Sequence, residues 1–320
     1  MPRLMRLLAL LLLLAPMAAP TGAKAQDRVT FGLDWKAEAE YGGYYQAVAT
    51  GIYARHGLDV TIREGGPQMN QTQLLLAGRL DFNLTSNSYL ALNFAREHLP
   101  IIAVAAFFQK DPSILLAHPG QGNDTFEALR GKPIMIGADT RLGWWNFLPA
   151  RFGYTDAQIR PYTFNLAPFL ANKAAIQQGY LGSEPYAIRT EAGFEPVVLL
   201  LADAGFNGYG SLLTTRTDLI RDKPDLVQRF VDASIEGWAS YLTGDPAPAH
   251  ALIRRDNPEM TDGLLAYGRN VLRARGIVDP ATIGRMSDAR WEAFFRSVVE
   301  QQLAPADLDW HATYTTRFLK

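Results

Sequence analysis

The chain has 320 residues, a formal net charge of −1 and no cysteine, and 48% of its residues are hydrophobic. The missing cysteine excludes disulfides, thiolate catalysis, Cys-ligated zinc, iron–sulfur clusters and a lipidated cysteine anchor. No basic tract interleaved with aromatics occurs, so nucleic acid is not an expected partner, and the length suits one large domain or two of ordinary size.

Arg3 and Arg6 precede the unbroken apolar run from Leu7 to Leu14, and Ala23-Lys24-Ala25 follows as an A-x-A site. This order predicts a secretory signal peptide over residues 1–25, cleaved after Ala25. The run is shorter than the roughly 20 apolar residues a membrane span needs. Removing Arg3, Arg6 and Lys24 leaves a mature chain of charge −4. An exported chain without cysteine is expected in the periplasm of a Gram-negative bacterium.

Val29 to Trp35 reads as a strand and Tyr44 to His56 as a helix closed by Gly57. LDVTIRE alternates, with Leu58, Val60 and Ile62 on the inward face. NQTQLLLAG reads as a short helix, LDFNLTS as a strand and NSYLALNFAREH as a helix. The apolar run IIAVAAFF reads as a strand buried on both faces. HPGQGND, from His118, is a turn cluster where the chain is expected to cross into a second lobe. KPIMIGA then reads as a strand, GWWNFLPARFG as a helix, IRPYTFN as a strand and APFLANKAAIQQG as a helix. SEPYAIRTEAG reads as a short helix and EPVVLLLAD as a strand. After the loop GFNGYG, SLLTTR returns as a strand. Beyond Arg216 the pattern is almost wholly helical, with Pro224 opening a helix whose apolar face carries Leu226, Phe230 and Trp238. Strands alternating with helices predict an α/β fold with mainly parallel sheets. The expected lobes are 26–117 with 212–320, and 118–211. Two lobes joined twice imply a hinge and a cleft for ligands.

The segments DWKAEAEYGGYYQAVATGIYARHGLDVTI, QLLLAGRLDF, GSEPYAI and TTRTDLIRDKPDLVQRFVDA, in this order, resemble the NMT1/THI5-like solute-binding proteins of ABC transporters, relatives of sulfonate- and taurine-binding periplasmic proteins. The resemblance covers nearly all of the mature chain. It implies the two-lobed type II periplasmic binding-protein fold, a small-molecule solute, a membrane permease as partner and no cofactor; a monomer is expected. Better-understood members bind pyrimidine precursors of thiamine, and others take part in riboflavin, taurine or alkanesulfonate uptake. Two departures stand out. Pyrimidine binders often carry Trp-x-Pro-Asn after the first strand, where this chain has Asp34-Trp35-Lys36-Ala37. The pyrimidine-synthesising enzymes of the family use a cysteine-rich iron motif that this chain cannot have.

In such a fold the loops after the strands line the cleft. After the first strand these are Asp34, Trp35, Glu38, Tyr41 and Tyr44, with Gly42 and Gly43 expected to let the backbone approach a ligand; Trp35 and Tyr44 read equally as core residues. Among Thr85, Ser86 and Asn87 one is expected to cap the following helix, and Ser86 and Asn87 are candidate contacts. Phe107 or Gln109 faces either the ligand or the hinge. In the second lobe the candidates are Trp144, Asn165, Glu184 and Tyr186. Of Trp144 and Trp145, one is expected in the core and the other as a lid. Glu184 is either a ligand contact, as the resemblance implies, or a partner of its own helix dipole. Aromatics with carboxylates suit a flat heteroaromatic solute bearing an amine. The candidates include no clustered arginine pair for a sulfonate, though Arg141, beside Asp139 and Thr140, keeps an anion open.

Enzyme patterns are missing. No G-x-S-x-G or H-E-x-x-H occurs, no dinucleotide or Walker glycine pattern follows a strand, and His56, His98, His118, His250 and His311 are scattered. The acidic residues of RRDNPEMTD read as solvated surface. A transport binding protein is the expectation, against a pyrimidine-synthase-like enzyme or a sensor lobe.

Overall fold

A computed structural model describes residues 25–67 and 69–320. The expected signal peptide, apart from Ala25, lies outside the described residues. The first four strands are β1 (Asp27–Gly32), β2 (Leu58–Arg63), β3 (Phe82–Asn87) and β4 (Ile101–Phe108). There follow β5 (Ser113–Ala117), β6 (Ile134–Ile136), β7 (Ile159–Pro161), β8 (Ile176–Tyr180), β9 (Val197–Leu200) and β10 (Gly210–Arg216). They form two sheets, ordered β2-β1-β3-β10-β4 and β7-β6-β8-β5-β9. Within each sheet the strands that begin its α/β run pair in parallel, and β10 and β5 are antiparallel intruders. Each intruder follows a passage from one sheet to the other, so the chain crosses twice.

The first crossing lies at residues 109–112, earlier than the turn at His118. Ser113–Ala117 pairs with β8 and β9 and so belongs to the second sheet. Pro112 supplies the physical break, since proline cannot donate to a ladder. A second expectation is also corrected. AIQQGY is not the end of a helix: the helix there is only Ala167–Ala171, and β8 follows as the central strand of the second sheet. Helix-favouring Ala and Gln are overridden by tertiary pairing. Buried Gln178 accepts the Gly137 N–H at 2.6 Å, and a Cβ on Gly179 would lie 2.6 Å from Leu116.

β4 is buried along nearly its whole length, as its apolar run predicts, yet it is an edge strand. Isolated bridges from Gly284 and Tyr314 cover that edge, which removes an exposed ladder. The helix expected over Tyr44 to His56 is two pieces, Gly42–Ala49 and Ile52–Arg55, parted at Gly51 with φ +70°. The long helix Pro224–Thr243 buries Phe230, Trp238 and Tyr241 against the first sheet and its helices. Phe230 stacks on Tyr53 and Phe82, with ring centroids 5.3 and 4.1 Å away.

The glycine pair is explained by this packing. A Cβ on Gly42 would sit 2.2 Å from the Tyr241 ring, and one on Gly43 2.1 Å from the Trp238 ring. The pair admits two buried aromatics from the long helix. It does not serve as an approach for a ligand.

Candidate functional site

Strand ends and adjoining loops of both sheets line a cavity of about 560 Å³, within the usual range for small-molecule sites. The first lobe supplies the loop after β1. That loop is tied to the end of β2: Leu33 N–H donates to Arg63 O at 2.8 Å, and Gly65 N–H to Trp35 O at 2.9 Å. A Cβ on Gly65 would come within 2.4 Å of the Leu33 carbonyl, so glycine is required for this close approach. Ala37 N–H also donates to Glu64 at 2.6 Å. These ties aim Asp34, Trp35, Glu38 and Tyr41 into the cavity.

Asp34 accepts hydrogen bonds from Tyr41, at 2.8 Å, and from Ser86 near the end of β3. Asn87 lines the cavity and caps the helix Ser88–Arg96 through Leu90 N–H at 3.1 Å. Thr85 is buried and pairs with Thr214 at 3.1 Å instead. From the second lobe come Trp144, Tyr162, Phe164, Gln178, Tyr180 and Glu184. Glu184 turns back from the start of its helix and accepts Tyr180 N–H at 2.7 Å. Trp35 and Phe164 meet across the lobes with ring centroids 4.6 Å apart. Phe164 holds φ +60° and is 38% exposed, a costly conformation of the kind that clusters at ligand clamps. Beside this contact Lys36 pairs with Glu259 at 3.1 Å.

Asp34, Glu38, Trp35, Tyr41, Ser86, Asn87, Trp144 and Glu184 thus converge on one cavity. Five other candidates lie elsewhere. Tyr44 and Phe107 are wholly buried and pack on each other and on Trp238. Gln109 is a crossing residue, bonded to Ile277 O at 2.7 Å and to Arg290 at 2.9 Å. Asn165 is exposed and accepts Ala167 N–H at 2.9 Å. Tyr186 packs on Tyr267 with centroids 5.3 Å apart. Of the two tryptophans both are buried: Trp144 lines the cavity, and Trp145 donates to Asp156 at 2.9 Å. Arg141 pairs with the same Asp156 at 2.8 Å and does not line the cavity.

Sequence reasoning missed Asp111, Tyr162, Phe164, Gln178 and Tyr180. Asp111 was hidden in the unrecognised crossing and Tyr180 in the misread helix. Asn257, Glu259 and Met260, in the segment RRDNPEMTD expected to be solvated, also line the cavity.

The electrostatics are one-sided. Burial pushes Asp34 up, against its two hydrogen bonds. Glu38 is pushed well up by burial and then by Glu40, Glu184 and Asp34. Burial raises Glu40 and Glu184 to about 7 each and Asp111 to about 6. Among the described residues, no group of three His, Cys, Asp or Glu has the placement to hold a metal ion.

Residues 38–249 match the family described as NMT1/THI5 like. The chain belongs to that family. This NMT1/THI5-like protein is similar to the riboflavin-binding protein RibY of Chloroflexus aurantiacus, 28% identical over 81% of this chain and 76% of that protein. It is also 28% identical to the 4-amino-5-hydroxymethyl-2-methylpyrimidine phosphate synthase THI5 of Saccharomyces cerevisiae, over 34% of this chain and 32% of the yeast protein. Among solved structures it resembles the periplasmic aliphatic sulphonate binding protein SsuA of Escherichia coli, with TM-score 0.66 and 14% identity over 90% of this chain and 91% of that one. The NMT1/THI5-like chain therefore has the two-lobed type II periplasmic binding-protein fold.

Proposed function

We propose that the protein is the exported solute-binding component of an ABC importer, working in the periplasm with a membrane permease, and that it captures a small heteroaromatic solute. A pyrimidine precursor of thiamine is the leading candidate. The observation that carries this reading is the inter-lobe cavity, lined by aromatic rings and carboxylates from both lobes, with Trp35 and Phe164 meeting across it. Flat rings are held by offset aromatic contacts, and amines by carboxylates. Riboflavin is the second reading, favoured by the similarity to RibY along most of the chain.

An enzyme of the pyrimidine-synthase kind is disfavoured. The yeast similarity spans a third of the chain, cysteine is absent from the sequence, and among the described residues no histidine lines the cavity. Calorimetry with 4-amino-5-hydroxymethyl-2-methylpyrimidine, riboflavin and taurine tests the proposal. The expected result is binding of the pyrimidine at micromolar affinity or tighter, about −8 kcal/mol or better, with a smaller radius of gyration in solution scattering as the lobes close. Preference for taurine, or turnover of the bound solute by pure protein, would contradict it.

A further inference from the structure

Among the described residues, the inner carboxylates of the cleft have no cationic counterpart. Asp34, Glu38, Asp111 and Glu184 all line the cavity, and the one lysine or arginine among the lining residues is Lys36. Lys36 stands at the mouth, 48% exposed and already paired with Glu259. The inner carboxylates have only dipolar partners. Asp34 is bonded by Tyr41 and Ser86, Asp111 by the Ser113 N–H at 2.8 Å, and Glu184 by the Tyr180 N–H.

Glu40 adds to the cluster from behind. It is 2% exposed, its Oε1 has no hydrogen-bond partner, and a Cβ on Gly182 of the opposite lobe would lie 1.9 Å from that oxygen. Its charge acts on Glu38, and it is acted on by Glu184. The unpartnered, buried oxygen therefore sits in the acidic seam where the lobes meet.

A neutral ring needs one or two acceptors. It gives nothing back for the mutual repulsion of several carboxylates held in a half-enclosed space. An anion would add to that repulsion. A cation removes it, and the faces of Trp35, Trp144, Tyr162 and Phe164 attract positive charge as well. A bare metal ion does not fit, because the carboxylates do not converge on one point.

We infer that the solute is an organic cation: an aromatic or similarly flat molecule carrying a positively charged nitrogen, its ring between the aromatic walls and its charge against Asp34, Glu38, Asp111 and Glu184. This rests on the solute-binding reading of the cleft and, within it, sets a charged solute against the uncharged pyrimidine and riboflavin.

The test is calorimetry of the purified protein with three probes of one ring and three charges: benzyltrimethylammonium, benzyl alcohol and benzenesulfonate. Cation–π attraction and charge pairing should make the ammonium bind at least about 10-fold tighter than the alcohol. The sulfonate should bind more weakly than the alcohol. In Glu38→Gln/Glu184→Gln the preference for the cation over the alcohol should shrink about 10-fold, since shape remains and charge is lost; an unchanged melting temperature or a higher one shows that the variant is folded. Equal or better binding of the alcohol or sulfonate overturns the inference, as does a cation preference that survives loss of both carboxylates. If the ammonium fails while 4-amino-5-hydroxymethyl-2-methylpyrimidine binds, the charge class falls and the solute-binding reading stands. If no compound binds and scattering shows no closure, both fall.

Discussion

Trp35 and Glu184 show how much one side chain's surroundings decide. Trp35 is half-buried, packed against the edge of the core and meeting Phe164 across the cleft, so truncating it removes a stacking surface and only a marginal core contact. Trp35→Ala should weaken solute binding by about 1–3 kcal/mol, on the scale of aromatic stacking. Its melting temperature should stay close to that of the parent, and a large drop would place Trp35 in the core instead. Glu184 is raised to about 7 by burial, so its ionised form is held at a cost in the free protein. Glu184→Gln keeps an acceptor for the Tyr180 N–H and removes the charge. At about pH 8 it should raise the melting temperature of the free protein while weakening a cationic solute by about 1.5–3 kcal/mol, the range for charged hydrogen bonds. Thermal unfolding with and without solute reads both effects.

At the scale of elements, two contacts position the cleft without touching it. The first is the helix Gly42–Ala49 against the helix Pro224–Thr243. Gly43→Ala would gain about 1 kcal/mol in helix propensity. The new methyl would meet Trp238, which is fully buried and has nowhere to move, and overpacking of this kind costs about 1–3 kcal/mol or more. A net loss of stability is expected, seen as a lower denaturant midpoint. The second contact is Arg290, on the helix Asp288–Glu300. It donates to Gln109 in the first crossing and lies 4.1 Å over the ring of Tyr209, just before β10 in the second. One side chain therefore ties both strands of the hinge. Arg290→Met should keep the aliphatic stem but free the crossings from each other. Scattering should then show a larger radius in the free protein than the parent has.

For the whole molecule, the buried carboxylates set a pH dependence. Glu40 and Glu184 titrate near 7 in the folded chain against an ordinary 4.5, and Asp111 near 6 against 3.8. Below the ordinary values these groups are protonated in both states and contribute nothing. As pH rises from there toward 7, the unfolded chain loses protons that the folded chain keeps, so stability falls. Above about 7 the full penalty is present. Glu236 and Asp156, lowered by hydrogen bonds from His56 and Trp145 respectively, act in the opposite sense and only in stronger acid. The free protein should therefore melt at a higher temperature near pH 5.5 than near pH 8, and a cationic solute should recover more stability at the higher pH. A melting temperature that climbs from pH 5.5 to 8 without solute would show that the cleft carboxylates are solvated.

The sequence by itself carried what depends on local pattern. The α/β alternation, the strand β1 with its polar loop, a cap among Thr85, Ser86 and Asn87 and the helix opening at Pro224 all follow from periodicity and capping over a few residues. So does the placing of Asp34, Trp35, Glu38 and Glu184 at strand ends, where α/β proteins build sites. Only the tertiary structure decided what depends on distant partners. AIQQGY pairs as β8 because β5 and β6 lie on either side of it, and Pro112 marks a crossing because β5 finds its ladder in the other sheet. Gly42 and Gly43 are explained by two aromatics nearly 200 residues away. The charge of the cleft was hidden for the same reason. Asp34 and Glu38 share the loop after β1, Asp111 lies in the first crossing and Glu184 opens a helix of the other lobe; each is ordinary by its own neighbours, and their shared burial raises them only when two lobes bring them together.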